Sequence, residues 1–293
     1  MFHIISNPIS GRKKNGKKRF EVLYKYLDDN NIEYKLYESK YFKHPTEIAK
    51  EISMNNDGGD IIVIGGDGTF NEVLNGLSDI SKWNIGLIPA GSGNDFAKCI
   101  NLDKKDLLGC LKTILKKEVK PVDYIKVNYG MCVNVLGNGV DVEVLINFEK
   151  HSRLKGSFRY FVSLIEAICP LKFHEFDVSI DDGPFEHKKG LVVVLCNGTT
   201  FGGGIPICPH AKVDDGSLDF VFVNEVKTRQ IPKYLINLMK GKILNLPAAQ
   251  HVRCQKAVFK DNKNLVLQID GNINDSCSEY KCELVKNGIN MYR

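Results

Sequence analysis

The sequence predicts an α/β N-terminal domain built on a parallel sheet, followed by a β-rich, antiparallel, sandwich-like C-terminal domain. Three observations carry this. Short apolar runs alternate with amphipathic stretches through the first 120 residues, the rhythm turns to successive strands after Pro121, and glycine-rich loops stand where the early strands end.

Taken in order, Phe2 to Ile5 is a strand, and Lys17 to Asp28 carries Phe20, Leu23, Tyr26 and Leu27 at helical spacing. Tyr34 to Tyr37 is a strand and Pro45 to Met54 a helix. Ile61 to Ile64 is continuously apolar and β-branched, as a strand covered on both faces requires, and Phe70, Val73, Leu74 and Leu77 mark one helix face after it. Ile85 to Ile88 repeats the strand, with a helical stretch from Asp95. Such alternation predicts a parallel sheet with ligands at the carboxyl ends of its strands. Beyond Lys112 to Lys120 come the strands Tyr124 to Val127, Cys132 to Leu136, Phe176 to Ile180, Leu191 to Cys196, Leu218 to Val223 and Leu265 to Ile269. Two helices interrupt them, Phe158 to Ile168 and Ile231 to Ile243. The boundaries are 1–122 for the first domain, with 283–293 as a candidate completion, and 123–282 for the second.

Composition narrows the function. The chain has 293 residues, 43% hydrophobic, which excludes disorder as its main character. Its net charge of +5 is uneven, since Arg12, Lys13, Lys14, Lys17, Lys18 and Arg19 precede the first acidic residue, Glu21. That cluster suits a nucleotide phosphate or an acidic membrane surface, and on charge alone a solvated helix start fits equally well. No zinc spacing, aromatic ribonucleoprotein motif or basic stripe points to nucleic acid. The nine cysteines are scattered and odd in number, which fits a reducing, cytoplasmic setting. No apolar segment of about twenty residues could span a bilayer, so a lipid would be reached by docking.

The strongest chemical signal is Gly65-Gly66-Asp67-Gly68-Thr69, between a buried strand and a helix. Glycines allow a sharp turn and close approach, so backbone N–H groups and the positive helix end can face a polyphosphate. Asp67 in that loop is suited to arranging magnesium or water around phosphates. Pro89-Ala90-Gly91-Ser92-Gly93-Asn94-Asp95 occupies the same place one βα unit later, with Asn94 readable as a helix cap. Asn7-Pro8-x-x-Gly11 supplies a third loop.

These loops, with Asn71-Glu72 and Phe96, resemble the catalytic domain shared by diacylglycerol, sphingosine, ceramide and soluble bacterial lipid kinases. The resemblance continues through Asn134, Gly139, Asn197-Gly-x-x-Phe-Gly-Gly-Gly204, Cys208-Pro209-x-Ala211 and Asp214-Asp215-Gly216-x-Leu218. It implies a kinase that takes ATP and Mg²⁺ and phosphorylates a lipid hydroxyl in an interdomain cleft, diacylglycerol to phosphatidic acid being the leading reaction. It implies that Asn7, Pro8, Gly11, Ser39, Gly65, Gly66, Asp67, Gly68, Thr69, Phe70, Asn71, Glu72, Gly91 and Ser92 surround ATP, with Asp67 and Asp95 organising magnesium. It also implies a structural metal at the Lys212 and Ser217 carbonyls and the Asp215 carboxylate, where spacing alone reads as a hairpin turn. Peripheral membrane attachment is the expected partner interaction, with a homodimer left open.

One departure stands out. The family signature Asp-Gly-Glu ends in the glutamate thought to take the hydroxyl proton, and here the residues are Asp270-Gly271-Asn272. An amide cannot act as that base. Strand alternation puts Asp270 beside Gln268 and opposite Leu265, Leu267 and Ile269, so Asp270, alone or through a water shared with Asn272, is the expected substitute. The competing readings are NAD kinase and a nucleotide- or lipid-binding protein that has lost catalysis.

Overall fold

A computed structural model of the chain describes residues 1–10, 16–128, 130–151, 156–168, 172–274 and 276–293. They form two compact units, Met1–Asp123 with Lys286–Arg293, and Tyr124–Val285.

In chain order the first unit contains β1 (Phe2–Ser6), α1 (Gly16–Asp29), β2 (Tyr34–Glu38), α2 (His44–Asn55), β3 (Gly59–Gly65), α3 (Asp67–Gly76), β4 (Trp83–Pro89), α4 (Asp95–Cys99) and α5 (Leu107–Leu115), and then the start of β5 (Val119–Val127). The strands lie side by side as β2-β1-β3-β4, all parallel, with Ile4 opposite Leu36 and Ile62, and Ile61 opposite Ile85. Period-two alternation splits their apolar residues between two faces. Phe2, Ile4, Ile62, Ile64 and Ile88 pack with Phe20, Leu23 and Leu27 of α1 and Leu107, Leu111 and Ile114 of α5. Ile5, Ile61, Val63, Ile85 and Leu87 point the other way and are also buried, on the side of α2 and α3. That double burial is why these strands read as unbroken apolar runs.

The second unit continues with β6 (Gly130–Cys132), β7 (Val135–Gly139), α6 (Val140–Lys150), α7 (Gly156–Ile168), β8 (His174–Ile180), β9 (Glu186–Cys196), β10 (Leu218–Asn224), α8 (Ile231–Met239), β11 (Ala249–Cys254), β12 (Lys256–Leu265), β13 (Gln268–Ile269), β14 (Asn272–Ile273) and β15 (Cys277–Tyr292). Its strands pair antiparallel. β9 runs along β10 on one edge and along β8 and then β7 on the other, and β11 pairs with β10. One face of this sheet buries Phe176, Phe220, Phe222, Phe259 and Tyr280. The other face of β9 and β10, with Val194, Cys196, Val221 and Val223, is covered by Ile207, Cys208 and Ala211 and by Tyr234 of α8.

β15 ends in the first unit, where Asn290 and Met291 pair in parallel with Asn84 and Ile85 of β4. Its Tyr292 is 2% exposed and donates its hydroxyl to Asp60 Oδ1 at 2.5 Å.

Two sequence expectations are corrected. α6 and α5 occupy stretches read without helices: the β-branched Val140, Val142, Val144 and Ile146 imitate a strand, and α5 runs into the lysine-rich stretch at 112–120. The helix expected over Ile231 to Ile243 stops at Met239, where Gly241 takes φ +66 and ends it.

Candidate functional site

Three loops at the carboxyl ends of β1, β3 and β4 converge in the first unit. Asn7 N–H donates to the Ile64 carbonyl at 2.9 Å, and its side-chain amide reaches Thr69 Oγ1 at 3.0 Å. Asn7 Oδ1 also accepts from Ile9 N–H, closing the turn that carries Pro8 and Ser10. Gly11 lies outside the described residues. Ser39 joins from the end of β2, where its N–H donates to the Ser6 carbonyl at 2.8 Å.

The β3 and β4 loops touch backbone to backbone. A Cβ built on Gly66 would sit 2.9 Å from Gly91 Cα, and one on Gly91 2.5 Å from Gly66 Cα. These two glycines therefore make room first for each other. Gly65 is closed off by the Thr69 side chain, whereas a Cβ on Gly68 would meet nothing within 4 Å. Gly68 is thus the open side of the loop.

Asp67 begins α3 and its Oδ1 accepts the Phe96 N–H at 3.1 Å, so one carboxylate joins α3 to α4. Phe70 and Phe96 stack below with centroids 5.1 Å apart, and both are fully buried. The α3 N-terminus has Gly66 as its cap, which brings no side-chain cap hydrogen bond. Such an end offers N–H donors and partial positive charge to an anion.

Asn94 takes a left-handed conformation, φ 54, and does not cap α4. Its side chain instead accepts from Gly91 N–H and donates to the Gly91 carbonyl, both at 2.8 Å, closing the loop on itself. Ser92 is exposed, and its carbonyl accepts from Lys104 Nζ at 3.0 Å. Asp95 is buried and paired with Lys98 at 2.9 Å, so a lysine already supplies the positive charge that a magnesium ion would bring there. Asp67, at intermediate exposure, fits a metal-organising role better than Asp95.

Phe70 and Asn71 serve the helix: Phe70 is core, and Asn71 accepts from the Asn75 side chain through both its carbonyl and Oδ1. Burial raises the Glu72 carboxyl above its usual range, opposed by Lys43, and its carbonyl accepts the Thr46 hydroxyl at 3.0 Å.

In the second unit, Asp270 is not a cleft-edge base. Val133 N–H donates to its Oδ2 at 2.8 Å, and Asn134 and Val135 N–H donate to its Oδ1 at 2.9 and 3.2 Å. The Cys132 thiol adds a fourth donor at 3.1 Å; burial, then the neighbouring carboxylate, pushes that thiol's pKa well up, keeping it protonated. Asp270 and Gly271, with φ 49 and 83, form the two-residue turn between β13 and β14. Positive φ at both central positions is the primed hairpin turn for which Asp-Gly is the standard signal. The turn reverses the chain before strand alternation can set the direction of Asp270.

The same knot holds the other polar motif residues. Asn197 N–H and Gly198 N–H donate to the Asn134 carbonyl at 2.8 and 2.9 Å, and the Asn197 side-chain amide reaches the Val133 carbonyl at 2.9 Å. Asn272, on β14, is half-buried.

Asp141, unremarked in the sequence, is 2% exposed at the start of α6. Neither carboxylate oxygen has a hydrogen bond within normal reach, although the Gln268 amide and nearby backbone N–H groups lie close enough to moderate its charge. Burial lifts its pKa to about 7. A carboxylate just past the strand-ending Gly139 was the available signal.

At the turn where the resemblance implies a structural metal, the Asp215 carboxylate already has partners. Asp215 Oδ2 pairs with Arg253 Nη2 at 2.5 Å, Arg253 Nε donates to Ser217 Oγ at 3.1 Å, and Ser217 N–H donates to Asp215 Oδ1 at 3.2 Å. A guanidinium therefore stands beside the carboxylate at this turn.

Residues 1–127 match the diacylglycerol kinase catalytic domain, and residues 134–281 match the YegS C-terminal NAD kinase beta sandwich-like domain. A diacylglycerol kinase of Bacillus subtilis is 26% identical over 99% of this chain and 93% of its own length. One from Staphylococcus saprophyticus is 27% identical over 98% and 92%. A diacylglycerol kinase structure from Bacillus anthracis superposes with TM-score 0.76 at 24% identity, over 99% of this chain and 96% of that one. An NAD kinase from Archaeoglobus fulgidus in complex with ATP shares the fold, with TM-score 0.55 at 14% identity over 100% and 94%.

Proposed function

Because the chain belongs to the diacylglycerol kinase family, whose catalytic-domain model matches its first unit while the YegS C-terminal model matches its second, we propose that it transfers the γ-phosphate of ATP to a lipid hydroxyl, diacylglycerol first. The observation that carries the reading is the convergence of three strand-end loops on an α3 N-terminus without a side-chain cap, open at Gly68. Backbone N–H groups in that arrangement suit a triphosphate tail, and Asp67 would orient the Mg²⁺ that enters with it. Lys104, bonded to the Ser92 carbonyl, and Arg19, bonded to the Lys104 carbonyl, add positive charge on the same side.

Neither residue expected to take the acceptor proton is suited to it. Asp270 already accepts three backbone N–H groups, and Asn272 cannot take a proton. Phosphoryl transfer is loose and depends mostly on phosphate positioning, so the reading is a slow kinase rather than an inert binder. Among the described residues no helix is long and apolar enough to cross a membrane. Reversible docking on the inner membrane face would bring lipid to the protein, and Ile236 and Met239 of α8, about half exposed, are apolar contacts available for it.

The test offers the purified protein labelled ATP with Mg²⁺ and a panel of diacylglycerol, phosphatidylglycerol, a sphingoid base and an isoprenoid alcohol. A labelled phospholipid that disappears when EDTA is added supports the reading. Absence of ATP binding by calorimetry would sink it. Tight ATP binding without any lipid product would leave only the nucleotide-binding alternative standing.

A further inference from the structure

The second unit holds a side-chain cluster for which phosphoryl transfer has no use. Cys208 Sγ, an Asp219 carboxylate oxygen and a His251 ring nitrogen lie within 4.8 Å of one another. They come from three separate segments: the loop before β10, β10 itself and β11. β10 and β11 pair with Val221 opposite His251 and Asp219 opposite Arg253, so Asp219 and His251 are diagonal neighbours on one face. Cys208 comes down on that same face, where it packs with Val221 and Val223. The ladder and the loop together thus bring sulfur, oxygen and nitrogen donors to one point.

We propose that Cys208, Asp219 and His251 form a binding site for a zinc-class divalent ion, with a water as fourth ligand.

The donor set decides the class of metal. A thiolate and an imidazole with one carboxylate suit zinc and disfavour magnesium or calcium, which take oxygen ligands. Zinc bonds of about 2.3 Å to sulfur and about 2.0 Å to nitrogen and oxygen put tetrahedral donors about 3.3–3.6 Å apart. His251 Nε2 and Asp219 Oδ1 are now 2.6 Å apart, and no donor pair exceeds 4.8 Å. Side-chain movements of about 1 Å therefore reach the required geometry, with the backbone left in place.

The surroundings fit a loaded site as well. Cys208 is fully buried and Asp219 is 5% exposed, so a carboxylate stands beside sulfur in an apolar core. Burying that charge is costly without a partner, a part that His251 plays in the ion-free protein. Arg253, opposite on β11, turns instead to Asp215 and Ser217 and leaves Asp219 to His251. Burial, then the Asp219 carboxylate, pushes the Cys208 thiol up to about 12, a shift that the backbone N–H groups of Ala211 and His210 oppose. Donors of that kind hold a metal-bound thiolate in place. The His251 side chain is 33% exposed on a strand paired only with β10, which gives an ion a way in and room for the water. On loading, the thiol releases its proton to solvent, and the proton that His251 Nε2 donates to Asp219 Oδ1 moves to Nδ1 or to solvent, which frees Nε2 and the carboxylate for the ion. The ion would pin the Cys208-Pro209-x-Ala211 loop to β10 and β11, a structural role independent of the kinase reading.

The experiment uses the full chain without a histidine tag, stripped with chelator and then titrated with Zn²⁺ or Co²⁺. The expected result is one metal per chain by elemental analysis, a thiolate-to-cobalt charge-transfer band, and a higher melting temperature with zinc. His251→Ala, at an outer strand where folding is least at risk, should weaken binding by an order of magnitude or more. Cys208→Ser should abolish the charge-transfer band. No stoichiometric binding at tenfold excess metal, binding without that band, or unchanged binding in His251→Ala would each overturn the proposal. Where Cys208→Ser fails to fold, the band in the parent protein and the weaker cobalt binding of His251→Ala still decide the matter.

Discussion

Asp141 shows how one buried carboxyl couples the fold to pH. Its pKa is raised by burial from 3.8 to about 7, so between those values the folded chain keeps a proton that the unfolded chain releases. The sign follows: this group's contribution is fully present below pH 3.8 and is lost as pH rises toward 7, after which the loss is constant. Three pKa units correspond to about 4 kcal/mol. Asp141→Asn should therefore be about 2–4 kcal/mol more stable than the parent at pH 8 and nearly equal to it at pH 3.5, as urea titrations at both pH values would reveal. Equal stability at both would mean that Asp141 finds a partner in solution.

Asp270 poses the opposite case, a carboxylate whose oxygens are already taken. Asn272, half-buried on a short hairpin strand, has the more adaptable position, and Asn272→Glu should raise kcat by about 10² or more, the usual worth of a positioned base. Initial rates at saturating nucleotide and lipid measure it, and an unchanged kcat would show that proton removal does not limit transfer. The Asp-Gly pair carried a plain hairpin signal in the sequence, which the family signature and the strand pattern overshadowed. The amides that hold Asp270 come from residues about 135 positions earlier, and no local pattern foretells them.

At the scale of elements, the glycine loops separate two uses of the same residue type. Gly91 abuts the Gly66 backbone, which cannot give way as a flexible side chain could, so Gly91→Ala should lower stability by about 1–3 kcal/mol and weaken ATP binding with it. Gly68→Ala adds a methyl group to open space in a helix first turn, so its melting temperature should equal the parent's or exceed it. A KM for ATP raised tenfold or more in that variant, by steady-state kinetics, would mark Gly68 as the place where phosphate approaches. Unchanged KM would move the nucleotide elsewhere. The site loops were readable in the sequence because glycine clusters follow β-branched runs. The pairing of Gly66 with Gly91 was not, since it depends on β3 and β4 being neighbours. Helix α6 escaped notice for a related reason: its β-branched residues favour strands locally, and packing of Val144 with Leu164 and Ala167 of α7 overrides that preference.

For the whole molecule, the alternation of strands and helices gave the parallel sheet, and the run of strands gave the antiparallel one. The contribution of β15 was harder to read, because a strand's partner is set by topology and its own sixteen residues serve both units. Met291 is fully buried and Tyr292 nearly so, and the Tyr292 hydroxyl bonds Asp60. Deleting Lys286–Arg293 should therefore destabilise the first unit by more than about 3 kcal/mol, the scale of losing two large buried side chains. Limited proteolysis would then cut within residues 1–123 first, and cleavage confined to the second unit would contradict this.

That closing strand also sets a schedule. A ribosome delivers β1 through β4 early, yet the strand that flanks β4 arrives only after the whole second unit has been made. The nascent first unit must wait, incomplete, while the second is synthesised. Transcripts that stall or end early would yield chains recognisable to quality-control proteases by an unpartnered strand edge, so partial products of this gene should not accumulate.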